Sequence, residues 1–281
     1  MTGFSIGEWT QIAPAAYRAV AEPETVNIGL VLGSKHVLLV DTGSCPAQGA
    51  AIAESVWHRF ERKIDRVVVT HAHYDHWFGL CAFTDVKTYG QAGLLDELSS
   101  GDSAPLASQL GFSPEFITAP QNLILEWGSF NLGGEQVQLR HFGPAHSNSD
   151  LVVYLPQQRL AFVGDLLEES GAPHFGPDST VSTWPGVIDQ IIALVDPDTT
   201  LVPGHGKPVD VAFAAKQRDD LCEFHDRVRE RHTQGYGLQQ ALRQTELDGK
   251  KRWPFDITTA REATICIYAE LGQLSQPTDA L

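Results

Sequence analysis

Hydrophobic and polar positions follow two different periods along this chain, and the change of period divides it. Val26-Asn27-Ile28-Gly29-Leu30-Val31-Leu32 and His36-Val37-Leu38-Leu39-Val40 are apolar runs of strand length separated by Gly33-Ser34-Lys35, and they predict a β-hairpin. From Pro46 to Arg62, Ala50, Ile52, Ala53, Val56, Trp57 and Phe60 recur at helical spacing, and this helix leads into the strand Val67-Val68-Val69. A second series of strands is read at 122–126, 136–140, 151–155 and 160–163, followed by a helix over 181–194 and a short strand over 199–202. Between the two series, residues 91–118 mix Gly, Ser and Pro with Leu, and read either as a loop or as short helices covering a site. Beyond Pro208 the strand signal stops. Helical patterns occupy 210–233, 237–245 and 258–272, punctuated by Gly235, Gly237 and the Trp253-Pro254 pair.

The pattern therefore predicts a mixed α/β unit over residues 1–209 and a helical extension over 210–281, which is either a cap packed on the first unit or a partner-binding appendage. With 281 residues and 42% hydrophobic content the chain can bury an extensive core. Its 35 acidic against 20 basic residues give a net charge of −15, which repels polyphosphate backbones and anionic lipid surfaces at long range, so neither nucleic acid nor membrane is expected as a partner. Cys45, Cys81, Cys222 and Cys266 are widely spaced and contain no C-x-x-C pair, so they read as reduced thiols rather than as a disulfide frame or a thiolate zinc site. The first residues lack a basic segment followed by an apolar one, and no run approaches the ~20 apolar residues of a membrane span. A cytoplasmic location is expected. The pattern says nothing about oligomeric state.

Chemistry is concentrated directly after the strand at 67–69. The run His71-Ala72-His73-Tyr74-Asp75-His76 places three imidazoles and a carboxylate within six residues, and these are ligand types that zinc, manganese and iron accept. Three further singletons follow strands in the same way: His146 in Gly143-Pro144-Ala145-His146-Ser147, Asp165 in Val163-Gly164-Asp165-Leu166, and His205 in Pro203-Gly204-His205-Gly206. Their small neighbours let the backbone approach a common point closely. Seven potential ligands thus leave strand ends.

The order of these motifs, a hairpin ending in Asp41-Thr42-Gly43, then the H-x-H-x-D-H run over 71–76, then His146, Asp165 and His205, resembles the metallo-β-lactamase superfamily over roughly residues 25–210. The resemblance implies a four-layer αββα sandwich, with the helical extension added after it, and a dinuclear zinc centre. By position, His71, His73 and His146 would hold the first ion, Asp75, His76 and His205 the second, and Asp165 would bridge them. Two divalent ions, with Mn2+ or Fe2+ as acceptable as Zn2+ to such ligands, would bring the pKa of a shared water toward ~7. The implied reaction is hydrolysis of a small-molecule ester, thioester, lactone or amide, with Asp75 orienting the nucleophile. Asp41 is either an acceptor that fixes a ligand imidazole or only a turn-former. His174, in Gly171-Ala172-Pro173-His174-Phe175, is a candidate pocket wall, whereas the aromatic neighbours Tyr74, Trp77 and Phe142 are either pocket walls or core.

Residues 143–156 are similar to the corresponding segment of true metallo-β-lactamases. Those enzymes usually carry Cys where Asp165 stands and, three residues on, a Lys that pairs with the substrate carboxylate. Here that position is Glu168, whose charge would oppose a penicillin carboxylate by on the order of 1 to a few kcal/mol, so at most weak β-lactam turnover is expected. The Asp bridge instead resembles the broader thioesterases and lactonases of the superfamily. The competing reading is a persulfide dioxygenase-like oxidoreductase, which on the same fold uses one iron held by a His-His-Asp set that His71, His146 and Asp165 would supply.

Overall fold

The computed structural model describes residues 3–249 and 255–272. Trp253 and Pro254, one of the punctuation points read above, lie outside the described residues. The first sheet contains β1 (Ser5–Ile6), β2 (Thr10–Ala13), β3 (Ala16–Glu22), β4 (Val26–Leu32), β5 (Val37–Val40), β6 (Arg66–Val68), β7 (Lys87–Gln91) and β8 (Asn122–Ile124). They run in the order β1-β3-β4-β5-β6-β7-β8, with β2 pairing β3. The second sheet contains β9 (Trp127–Asn131), β10 (Gln136–Arg140), β11 (Val152–Leu155), β12 (Leu160–Gly164) and β13 (Thr200–Pro203), in the order β13-β12-β11-β10-β9. The helices are α1 (Pro46–Phe60), α2 (Tyr74–Trp77), α3 (Leu94–Ser100), α4 (Ala104–Gln109), α5 (Trp184–Leu194), α6 (Val211–Thr233), α7 (Leu238–Asp248) and α8 (Ile257–Glu270).

The apolar runs are continuous because the central strands are buried on both faces, and alternate residues serve different layers. Val37, Leu39, Val67 and Val69 face Ile52 and Val56 of α1 in one cluster. Leu38, Val40 and Val68 face Leu139, Val153, Phe162 and Val202 of the other sheet in a second cluster. Val152, Tyr154, Ala161 and Val163 turn outward onto Trp184, Ile188 and Ile191 of α5 in a third. Three apolar layers between four layers of elements make the αββα sandwich. The sheets close tightly at Gly29, where an added Cβ would run into the Phe162 ring.

The C-terminal helices join the third layer. Leu221, Phe224 and Val228 of α6 and Ala260, Ala263 and Ile267 of α8 share the cluster of α5, so the extension packs on the sandwich. Truncation of the fully buried Phe224 to Ala would cost about 3–5 kcal/mol. Side-chain caps fix where two of these helices begin: Asp210 accepts from the Phe213 N–H at 2.8 Å and Asp256 from the Thr259 N–H at 2.9 Å. No helix among the described residues is long and apolar enough to cross a membrane.

Several elements differ from the sequence expectation. β1 to β3 precede the expected hairpin; β3 is Ala-Tyr-Arg-Ala-Val-Ala-Glu, whose alanines give no strand signal, and it is held by pairing with β4 at Ala19↔Ile28. The strand expected over 122–126 is shortened to β8, which pairs with β7 in the first sheet, and β9, which follows it and opens the second sheet, is not expected from the sequence. Residues 91–118 form α3, α4 and a short turn that pack through Leu94, Ala107 and Ile117 on the α1 side of the first sheet. They are thus short helices, and none of them lines the cavity at the metal ligands.

Candidate metal centre

All of the expected ligands leave the same end of the two sheets. After β6 the chain runs through Val69 and Thr70 to His71. His73 then takes an extended conformation and caps the single turn α2, which swings Asp75 and His76 back toward the strand end. The carbonyl of His76 accepts from both the N–H and the Oγ1 of Thr42 at 2.9 Å, which locks that turn to the end of β5. His146 is anchored by its carbonyl, which accepts from Ser179 Oγ at 2.7 Å. Asp165 follows Gly164, the last residue of β12, and Gly204 follows β13, with the Gly204 N–H bonded to the Gly164 carbonyl at 2.8 Å. A Cβ on Gly204 would occupy the place of Asp165 Oδ1, so a glycine is required for the bridging carboxylate to sit there.

The side chains form two adjoining sets, His71, His73, His146 and Asp165 in one and Asp75, His76 and His205 in the other, and Glu168 stands close enough to Asp165 and His205 to make a third grouping that overlaps both. Asp165 faces both. Its Oδ2 lies 3.5 Å from His146 Nε2 and 3.7 Å from His71 Nε2, while its Oδ1 lies 3.3 Å from His76 Nε2. Asp75 Oδ2 lies 3.3 Å from His205 Nε2 and 3.6 Å from His76 Nε2. His71 Nε2, His76 Nε2 and Asp165 Oδ1 are buried without a hydrogen-bond partner. Orphaned buried acceptors are costly and rare, and three converging on one point fit divalent cations as their partners.

Outer hydrogen bonds set the orientation of the imidazoles. Asp41 Oδ2 accepts from His76 Nδ1 at 2.8 Å and from Thr70 Oγ1 at 2.9 Å, and Asp41 Oδ1 accepts from the Thr70 N–H at 2.7 Å. Because the Thr70 hydroxyl donates to Asp41, it accepts from His71 Nδ1 at 3.0 Å. One carboxylate thereby turns the Nε2 lone pairs of two imidazoles toward the ligand cluster. Asp41 itself is held at φ +65°, a left-handed conformation tolerated by Asp. Asp41 thus both accepts from an imidazole and takes the left-handed turn. On the other side, Asp178 Oδ2 lies 3.2 Å from His73 Nε2, leaving His73 Nδ1 toward the centre, 2.9 Å from His146 Nε2. Asp178 had no sequence signal.

The two sets differ in electrostatics. Burial pushes His146 down to about 3 and holds His71 well below the ordinary imidazole range. In the second set burial acts the same way, but the surrounding carboxylates outweigh it: Asp165, Asp75 and Asp41 hold His76 well above its ordinary value, and Asp75 with Asp165 raises His205 to about 9. Asp165 is itself held well below the carboxylate range by His76 and His71 despite its burial.

A cavity of about 430 Å³ opens over the ligands, lined by Glu24, Tyr74, Glu168, Ser170 and His174 as well as His73, Asp75, Asp165 and His205. Among the described residues no Lys or Arg lines it. His174 stands on its wall with its ring centroid 6.3 Å from that of His73. Glu168 is buried; its Oε1 accepts from Ser170 N–H at 3.0 Å and Oγ at 2.6 Å, and burial together with Asp165 raises its carboxyl. Tyr74 lines the cavity, Trp77 is core, and Phe142 faces a separate cavity beside Trp127 and Arg140.

The helical extension braces these loops. Gln217 of α6 donates to the Leu166 carbonyl and accepts from the Glu168 N–H, both at 3.0 Å. Glu270 of α8 accepts from the N–H groups of Val181, at 2.6 Å, and Ser182, at 3.1 Å, just beyond Asp178.

Comparison with known proteins agrees with this geometry. The family model described as the metallo-beta-lactamase superfamily matches residues 21–205. The chain is 27% identical over 187 residues to a metallo-beta-lactamase type 2 of Bacillus sp. (strain 170), covering 65% of this chain and 67% of that one. It is 27% identical over 205 residues to the acyl-coenzyme A thioesterase MBLAC2 of Homo sapiens, covering 64% and 72%. Among solved structures, the sec-alkylsulfatase Pisa1 from Pseudomonas sp. superposes with a TM-score of 0.76 at 19% identity, over 98% of this chain and 52% of that one. A metallo-beta-lactamase from Pontibacter korlensis superposes with a TM-score of 0.62 at 22% identity, over 76% and 98%.

Proposed function

The chain belongs to the metallo-beta-lactamase superfamily, and on that premise we propose that it is a metal-dependent hydrolase cleaving a small ester, thioester, lactone or amide with two zinc ions. The observation that carries this reading is the position of Asp165, whose two oxygens stand 3.5 Å from His146 Nε2 in one ligand set and 3.3 Å from His76 Nε2 in the other. His71, His73 and His146 would hold one ion and Asp75, His76 and His205 the other.

Two such ions would lower the pKa of a water toward ~7 and draw electron density from an acyl carbonyl. The chain's own groups do the rest. Asp41 and Thr70 keep His71 and His76 in the tautomer whose Nε2 is free, and Asp178 does the same for His73 Nδ1. Asp75, at the floor of the cavity, offers a carboxylate oxygen that orients the attacking water. His174 and Tyr74 bound the space where the acyl group would lie. An iron-dependent sulfur oxidation using His71, His146 and Asp165 alone would leave Asp75, His76 and His205 without a task.

Glu168, and the absence of a lining Lys or Arg among the described residues, disfavour substrates that present a carboxylate or sulfate to this wall. The test is elemental analysis of the purified chain followed by a hydrolysis screen of a lactone, a thioester, an aryl ester and a chromogenic cephalosporin. About two zinc per chain with acyl-bond turnover is the expected result. A single iron without hydrolysis would overturn the reading.

A further inference from the structure

Beside the metal cavity lies a second, smaller one of about 150 Å³, and Glu168 and Ala172 line both. Its other walls come largely from the helical extension: Phe213, Gln217 and the Lys216–Asp220 pair of α6, with Phe255 and Pro173. The lysine is paired with Asp220 at 2.6 Å, so among the described lining residues the charge left at the junction is that of Glu168. This carboxyl is 9% exposed and has no ion-pair partner among the described residues. Its Oε1 is held by Ser170, and its backbone is held by Gln217. A buried carboxylate that lines a small aromatic-walled space, with one oxygen held by Ser170, is a poor neighbour for an anion and a good one for a cation.

We propose that this groove is a substrate subsite for a compact quaternary or alkylated ammonium group, with Glu168 as the counter-charge and Phe213 and Phe255 as the aromatic walls. The inference rests on the hydrolase reading above and narrows it to acyl esters or thioesters carrying such a cation. The space holds about five heavy atoms at ~30 Å³ each, the size of a trimethylammonium head. Hydrolysis of such an ester consumes one water. The acyl–oxygen or acyl–sulfur bond breaks, a bond from the acyl carbon to the water oxygen forms, and a carboxylate, the alcohol or thiol and a proton are released.

The test compares isosteric thioesters of the metal-loaded protein, one ending in trimethylammonium and one in tert-butyl, and measures tetramethylammonium binding by calorimetry. The cationic thioester is expected to be preferred at least ~10-fold in kcat/KM, with the difference in KM. Glu168→Gln should remove the preference and the tetramethylammonium binding while keeping the wild-type metal content, and Glu168→Lys should invert the preference toward an anionic isostere. Phe213→Ala should weaken cation binding alone. Equal turnover of the two thioesters, or loss of metal from Glu168→Gln, would overturn the subsite, the latter making Glu168 an ion ligand. Saturable tetramethylammonium binding with no turnover of any acyl substrate would support the subsite and sink the hydrolase reading.

Discussion

Asp41 Oδ2 lies 2.8 Å from His76 Nδ1, and the same oxygen accepts the Thr70 hydroxyl that in turn faces His71. The carboxylate is 2% exposed and sits at the end of β5, where the left-handed turn of its own backbone aims it inward. A single acceptor thus orients one imidazole in each ligand set and links the two sets through a residue that belongs to neither.

Asp41→Asn keeps the shape and tolerates the same left-handed backbone, but its amide nitrogen cannot accept a hydrogen bond. Affinity for divalent metal should fall about 10- to 100-fold. Competition against a chromophoric chelator reads this directly. Wild-type affinity in the variant would mean that Asp41 is a turn-former and nothing more.

Metal retention should depend on pH mainly at the second set. His205, raised to about 9, and His76, held well above its ordinary value, are protonated in the metal-free protein at neutral pH, so an ion must expel their protons. In the first set His146, pushed down to about 3, and His71 are already neutral, and only His73 is raised, its burial outweighed by its hydrogen bond to Asp178. The affinity of the second ion should therefore rise with pH up to about 9 and fall on acidification, while the first ion, opposed by the proton on His73 alone, should be lost later. Dialysis at pH 6 and pH 8 followed by elemental analysis checks the order of loss. Equal retention of both ions at pH 6 would contradict it.

What the sequence made legible is the machinery that is local or strand-bound. His71 to His76 lie in one run, and the central strands announce themselves because both their faces are buried. What it hid is machinery assembled across distance. Asp178 meets His73 across 105 positions, Gln217 meets the Glu168 loop across 49 and Glu270 meets Val181 across 89; no periodicity encodes such meetings. The edge strands hid for another reason. β9 is exposed or half-exposed along its whole length, so it has no apolar face to reveal it.

Gln217→Leu removes the donor to the Leu166 carbonyl and the acceptor for the Glu168 N–H without removing bulk. Each buried group left unpaired costs about 1–3 kcal/mol. The melting temperature of the variant should drop by about 5–10 °C, and metal affinity should fall with it because the freed loop begins at Asp165. A thermal melt with a chelator titration checks both. An unchanged melt would show that the extension does not brace the site.

Gly204→Ala tests the bridging carboxylate without touching a ligand. An added Cβ would collide with Asp165 Oδ1 and come within 3.0 Å of His76 Cε1, and both are held by packed elements, so Asp165 must leave its place between the two ligand sets. Backbone hydrogen bonding of Gly204 to Asn27 and Gly164 does not involve the Cβ and survives the change. We therefore expect native circular dichroism with binding of at least one ion lost and any hydrolysis reduced by more than about 100-fold. Gly186→Ala is the control. Its Cβ meets nothing within 4 Å on α5, and replacing a helical glycine should stabilise by about 0.5–1 kcal/mol. If Gly204→Ala kept full metal content and turnover, Asp165 would not be the bridge, and the dinuclear reading would fall with it.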